Sequence, residues 1–208
     1  MSTNTAQLDS NSEIINMTKD ELNNWFDQRF DERRQAEEEA HVPSMSIIAT
    51  KGTMDWAYPP FILASTAAAL GWNVSMFFTF YGLDLLKRDL NLSVSPMGNP
   101  AMPMKMPVGP QWLKDINMNI PNAIMGNLPG FENMATAMMK KTTQVKGIAS
   151  IEELRSLCLE AEVKMYACQM TVDMFGHDQD DFMEEIEGWI GAASFLPAAQ
   201  KCDVSLFI

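Results

Sequence analysis

Residues 44–80 read SMSIIATKGTMDWAYPPFILASTAAALGWNVSMFFTF, and the fold follows from how this stretch divides. SMSIIAT does not alternate apolar with polar residues and is closed by Lys51 and Gly52, which predicts a first strand buried on both faces. Pro59 and Pro60 mark a helix start and Gly71 and Asn73 a stop, which predicts a helix over residues 59–70. VSMFFTF is rich in β-type residues and predicts a second strand over residues 74–80, after which Gly82 opens a helix over residues 83–90. This β-α-β-α order needs right-handed crossovers with helices on the faces of a parallel sheet. The expected fold is a three-layer α/β/α domain around an open, mostly parallel sheet. The same punctuation answers the membrane question. Residues 57–83 carry no charged side chain, yet a helix of about 12 residues spans roughly 18 Å against a hydrocarbon core of about 30 Å. A buried helix and strand are expected, not a membrane span.

Towards the N-terminus, residues 1 to 12 are polar and expected to be disordered, with neither the basic nor the apolar region of a secretory leader. Thr18 and Glu21 form a capping box for an amphipathic helix with Leu22, Trp25, Phe26 and Phe30 on one face, ended by His41, Val42 and Pro43. Residues 1–43 therefore read as a disordered start with a helical extension, and residues 44–208 as the α/β domain. Towards the C-terminus, SVSPMGNPAMPMKMPVGP at residues 93–110 holds five prolines in eighteen residues and predicts an irregular excursion. A helical pattern resumes at Gly130, and Ser150 with Glu153 caps a helix over residues 151–162. The strand VKMYAC follows, then helical turns in QMTVDMF ended by Gly176, an acidic helix in DDFMEEIEG, the uncharged GWIGAASFLPAAQ and a last strand in DVSLFI.

Composition narrows the function classes. A chain of 208 residues suits one domain with an appendage. With 27 acidic against 15 basic residues and a net charge of -12, it opposes a phosphate backbone, so nucleic acid is not an expected partner. Three cysteines without a secretory leader indicate a reducing compartment and no disulfide framework. His41 and His177 are too few and too far apart for a metal site. Among 18 methionines, Met97, Met102, Met104 and Met106 form a thioether array of the kind that suits Cu(I). Without a cysteine or histidine beside them they read as an apolar lid or a subunit contact, and no metal or other cofactor is expected.

In an open parallel sheet, ligands gather beyond the carboxyl ends of the strands. Three segments meet that condition: Lys51-Gly52-Thr53, residues 79–82, and residues 168–171. Lys51, Gly52, Thr53, Tyr81 and Gly82 are the candidate ligand-binding residues of a small-molecule or nucleotide module, although KGT is no phosphate loop and GxGxxG is absent. Cys168 stands at a strand-to-helix turn. There the helix N-terminus favours thiolate by roughly 0.3 to 1 kcal/mol, at most about 2, which takes a thiol from about 8.5 to roughly 7 to 8. The same position suits a cysteine that merely closes a buried strand. Cys158 shares the core-facing stripe of its helix with Ile151, Leu154 and Ala161, which points to packing, and Cys202 carries no spacing signal.

SIIATKGTMDWAYPPFILASTAAALG, MFFTFYGLDLLK, SPMGNPAMPMKMPVGP and ASIEELRSLCLEAEVKMYACQMTVDMFG together resemble the DsrE/DsrF-like superfamily, most closely its DsrE2-type branch, over residues 44–197. The resemblance implies a cytoplasmic homo-oligomer in sulfur trafficking, which carries sulfane sulfur as a cysteine persulfide and exchanges it with rhodaneses and TusA-type carriers. It puts the carrier thiol at Cys168 and a second family cysteine at Cys158, which would resolve or receive the sulfur if its helix packs beside the strand end. Thr171 and the amides after Cys168 are the expected donors to the sulfur, with Asp173 on the other side of the turn. Such a protein is a sulfurtransferase-like carrier more than a turnover enzyme. The label peroxiredoxin, common in this family, finds no Pro-Thr-x-x-Cys motif here.

Overall fold

A computed structural model describes residues 18–95, 110–111 and 129–208. The chain divides after Val42 into two units. The first contains α1 (Lys19–Ala40), opened by a capping box in which Thr18 N–H donates to Glu21 at 2.8 Å and Glu21 N–H donates back to the Thr18 hydroxyl at 3.4 Å. None of its residues is buried, and Leu22, Phe26 and Phe30 are exposed. The expected disorder of residues 1 to 12 lies outside the described residues.

The second unit runs β1 (Ser44–Ala49), α2 (Met54–Ala69), β2 (Asn73–Phe78), a 3-10 segment (Phe80–Leu86), α3 (Phe131–Val145), α4 (Ile151–Glu160), β3 (Lys164–Cys168), α5 (Gln169–Phe175), a 3-10 turn (Gln179–Asp181), β4 (Gly188–Ile190), α6 (Ala192–Ala199) and β5 (Val204–Phe207). Among the described residues the strands form one parallel sheet in the order β4-β3-β2-β1-β5. The α/β/α architecture expected from the sequence is present. No helix among the described residues is long and apolar enough to cross a membrane.

Side chains along each strand point alternately to the two faces, which separates two cores. On one face Met45, Ile47, Met76, Phe78, Met165 and Ala167 pack with residues of α2 and α4. On the other, α6 brings Phe195 and Ala199 against Phe77 and Cys168, with Phe195 stacked on Phe77 at a ring separation of 4.9 Å. β1 is buried on both faces, with Met45, Ser46 and Ile47 all buried.

Three expectations are corrected. First, α2 begins at Met54 with Thr53 as its cap, so Pro59 and Pro60 lie inside the helix. They leave the Asp55 and Trp56 carbonyls without the usual helical donor. The early turn is held instead by burial of Met54, Ala57, Tyr58 and Phe61 and by Met54 N–H bonding the Ser93 carbonyl at 2.8 Å. Second, β2 stops at Phe78, and the helix expected after Gly82 is a 3-10 segment in which Leu83, Leu85 and Leu86 are all buried. Third, the acidic DDFMEEIEG is not an α-helix: Phe182 and Met183 are both buried, Phe182 bridges to Lys87, and Met183 N–H bonds the Leu86 carbonyl at 3.0 Å.

The α4 capping box is present: Ser150 N–H donates to Glu153 at 2.7 Å, and Glu153 N–H to the Ser150 hydroxyl at 3.1 Å. Because α4 packs Ile151, Leu154 and Cys158 into the main core, loss of its cap is felt by the whole sheet unit. Ser150→Ala should lower unfolding free energy by about 1 kcal/mol in urea titrations, and an unchanged midpoint would show that the cap is dispensable.

Candidate functional site

The register of β2 on β3 pairs Phe78 with Ala167, so the next residues, Thr79 and Cys168, stand level at the carboxyl end of the sheet. Cys168 closes β3 and is the N-cap of α5, whose first turn carries Thr171. Cys168 is 2% exposed and Thr171 0%. Burial pushes the Cys168 thiol up. The hydroxyls of Thr171 and Thr79 and the backbone N–H groups of Thr171 and Met170 outweigh that, and the pKa lies below the ordinary thiol value. None of these donors closes a capping bond to the sulfur. Their effect on the thiol is collective.

Thr171 is itself oriented. Its Oγ1 lies 3.2 Å from Thr79 Oγ1 and accepts the Phe80 N–H at 3.4 Å. Phe80 has φ +49°, a left-handed conformation costly for an aromatic residue, by about 1 to 3 kcal/mol. It is held by bonds on both sides: Thr79 N–H to the Ala49 carbonyl and Gly82 N–H to the Thr79 carbonyl, both at 3.0 Å. The Phe80 and Tyr81 rings then meet Phe175 of α5 at 6.4 and 5.7 Å. Phe80, Tyr81, Met170, Met174 and Phe175 are exposed, so an apolar surface lies over the end of β3.

The two glycines are filled by backbone. A Cβ at Gly82 would collide with the Ala49 carbonyl, and one at Gly52 with the Tyr81 carbonyl oxygen. They let the loops after β1 and β2 nest against each other. Gly52, Thr53 and Tyr81 line a cavity of about 410 Å³ together with Asp84, Lys87 and Asp89. Lys87 is paired there with Asp84 at 2.6 Å, which leaves the cavity without the excess positive charge a phosphate group needs. Lys51 instead sits over the Trp56 ring at 3.0 Å from its centroid. The five candidate ligand-binding residues are thus neighbours, and Gly52, Thr53 and Tyr81 share this cavity.

Cys158 is not brought to Cys168. Its carbonyl accepts the Val163 N–H just before β3 begins, whereas Cys168 ends that strand, about five residues or roughly 16 Å away. It also belongs to the other core. Cys158 is 0% exposed, its thiol donates to the Phe61 carbonyl at 3.6 Å, and burial pushes its pKa up to about 12. Cys202 is half-buried and donates to the Ala198 carbonyl at 3.6 Å. Asp173 is held by Gln169 Nε2 at 2.7 Å and is exposed. His177 packs edge-on to Phe175 and Phe182. No cluster of three or more metal-ligating His, Cys, Asp or Glu occurs among the described residues. The methionine array of residues 97–106 lies outside the described residues.

Sequence reading missed Thr79 as a donor and Phe80 as the residue that aims Thr171. Both lie in a segment flagged by its position after a strand. Their roles depended on which strand lies beside β2, and spacing does not reveal that.

The model of the DsrE/DsrF/DrsH-like family matches residues 41–207. Sulfur carrier protein DsrE2 of Allochromatium vinosum is 55% identical over 164 residues, covering 79% of this chain and 97% of that protein. The uncharacterized protein YrkE of Bacillus subtilis is 28% identical over 164 residues, covering 78% of this chain and 95% of its own length.

Thr171→Val and Thr79→Val each remove a hydroxyl at nearly constant volume. In a Cys202→Ser background the pH midpoint of Cys168 alkylation by iodoacetamide should rise in either variant and further in the double one. An unmoved midpoint would show that the hydroxyls do not act on the sulfur. Cys158 gives the opposite pH signature. Its folded pKa is raised, so its contribution to stability is intact below the unfolded thiol value and is lost as pH rises from about 9 towards 12, at up to about 1.4 kcal/mol per pH unit. Cys158→Ala should flatten that alkaline slope in unfolding titrations.

Proposed function

The chain belongs to the DsrE/DsrF/DrsH-like family, and on that premise we propose that it is a sulfur carrier which holds sulfane sulfur as a persulfide on Cys168. The observation that carries this reading is the collective donor set that lowers the Cys168 pKa at the carboxyl end of β3. The similarity to a protein named as a sulfur carrier over most of both chains supports it.

Loading needs a thiolate and no oxidant. The Cys168 thiolate attacks the outer sulfur of a donor persulfide R–S–SH. A Cys168–S–SH bond forms, the donor S–S bond breaks, and the donor leaves as R–S⁻. Unloading is the same reaction in reverse sense: a partner thiolate takes the outer sulfur and Cys168 leaves as thiolate. The donors that ease ionisation of Cys168 also make it a better leaving group, so one environment serves both directions. Thr171 has the positioning role here, since its hydroxyl is oriented by the Phe80 N–H and faces Cys168. Cys158, protonated up to about pH 12 and buried in the other core, has a packing role in this reading.

Exchange with rhodanese-type donors and TusA-type acceptors, a homo-oligomeric assembly and a reducing, cytoplasmic location belong to the same proposal. The apolar surface of Phe80, Tyr81, Met170 and Phe175 beside a 2% exposed thiol suits delivery by a docked protein better than capture from bulk solvent.

Incubation of the reduced protein with a low-molecular-weight persulfide should add one sulfur atom, about 32 Da by mass spectrometry, localised to the peptide containing Cys168. Cys168→Ser should abolish the adduct and Cys158→Ser should retain it. An adduct that survives Cys168→Ser would overturn the assignment.

A further inference from the structure

The surface beside Cys168 carries a charge pattern that its thiol does not use. On α5, Met170, Asp173 and Met174 are spaced three and four apart and are all exposed, so they share one face. Gln169, the residue next to Cys168, donates to Asp173 at 2.7 Å and accepts from Gln179 Nε2 at 3.1 Å. The second bond draws the 3-10 turn (Gln179–Asp181) against the start of α5 and brings with it Asp178, Asp180 and Asp181, all exposed. Four aspartates in the nine residues 173–181 thus border the apolar surface at the end of β3.

None of these four carboxylates forms an ion pair among the described residues, and the cations near them are engaged elsewhere. Lys87 is paired with Asp84 at 2.6 Å. Arg88, whose N–H bonds the Asp181 carbonyl, extends its guanidinium to Glu184 at 3.9 Å. The sulfur lacks a cation as well, since only neutral hydroxyls and backbone N–H groups act on Cys168. Sulfur exchange between two thiols spreads one negative charge along three sulfurs in line, and a cation beside them stabilises it. This chain supplies none, so that charge has to come with the partner.

We propose that this surface docks a protein whose reactive cysteine is flanked by lysine or arginine and by apolar residues, the apolar ones covering Met170, Met174 and Phe175 and the basic ones facing Asp173 and the 3-10 turn. The proposal rests on the carrier reading of Cys168 and adds the partner's chemistry to it. Flanking cations also keep the partner's own thiol ionised near neutral pH, which attack on the outer sulfur requires. Attraction between the two surfaces speeds encounter, so its signature is a salt dependence of transfer and not of the Cys168 pKa.

The test uses the full chain in the Cys202→Ser background, loaded with one sulfur on Cys168 and mixed with either of two synthetic peptides. Each peptide holds one cysteine between two leucines; one has four flanking lysines and the other four glutamates. Transfer rates to the two are divided by those from a small uncharged persulfide in free solution, which corrects for the intrinsic reactivity of each thiol. At low salt the protein should favour the lysine peptide by roughly tenfold beyond that control, and about 0.5 M salt should remove most of the preference. Asp173→Asn with Asp180→Asn should cut it roughly threefold and leave loading by a low-molecular-weight persulfide intact. Glu160→Gln with Glu162→Gln, exposed at the amino end of β3, should leave the preference in place. Serines in place of the leucines should slow transfer to the lysine peptide. Equal corrected rates, a preference unmoved in the aspartate variant or lost equally in the glutamate variant, or serine peptides as fast as leucine ones would each overturn the docking proposal and leave the carrier reading standing. Failure of Cys168 to load at all would overturn both.

Discussion

Because crossovers between parallel strands are right-handed, a reversal in the direction of travel across a sheet reverses the face on which the connecting helix lands. The chain moves outward from β1 through β2 and β3 to β4, then returns past β1 to add β5. That single reversal puts α2 and α4 on one face and α6 on the other, and so creates two cores of unequal size. The larger holds the bulk of the apolar residues. The smaller is built around Phe77, Phe195 and Cys168, and it reaches the carboxyl end of β3 where helix starts and loop amides converge. Without α6 on that face, Cys168 would end a strand in open solvent and its donors would compete with water.

Two cysteines ten residues apart show how far one side-chain type can be moved by placement. Cys158 meets burial with one carbonyl for company and rises to about 12. Cys168 also meets burial, yet four neutral donors face its sulfur and the balance falls the other way. No charged side chain contributes to that balance. A site tuned by neutral dipoles is less sensitive to ionic strength than one tuned by a lysine or arginine, since salt screens charges more strongly than short-range hydrogen bonding.

The parts of this molecule that were legible in the sequence are those governed by neighbours in the chain. Ser150 with Glu153, Gly176 at a left-handed helix end, and the β-α-β-α order required no knowledge of tertiary contacts. The failures lie where packing overrides local preference. Pro59 and Pro60 look like a helix start, but burial of Met54 and Ala57 draws the helix back to Thr53. DDFMEEIEG has a helix-forming composition, but Phe182 and Met183 are held extended by Lys87 and Leu86. At the site, Cys168 and Thr171 were visible because they are close in the chain. Thr79 and Phe80, about ninety residues away, join them only through the pairing of β2 with β3.

The pairing of β1 with β5 links residues 159 positions apart, as Ser46 and Ser205 show. During synthesis, at about 5 to 20 residues per second, β1 therefore emerges roughly 8 to 30 s before its second neighbour exists. β2 can cover one edge early. The other edge, on a strand whose Ile47 and Ala49 are among the most buried residues of the finished protein, stays open for that interval. The nascent chain on the ribosome is thus the form most exposed to mispairing, and the demand for a chaperone falls on translation more than on the folded state.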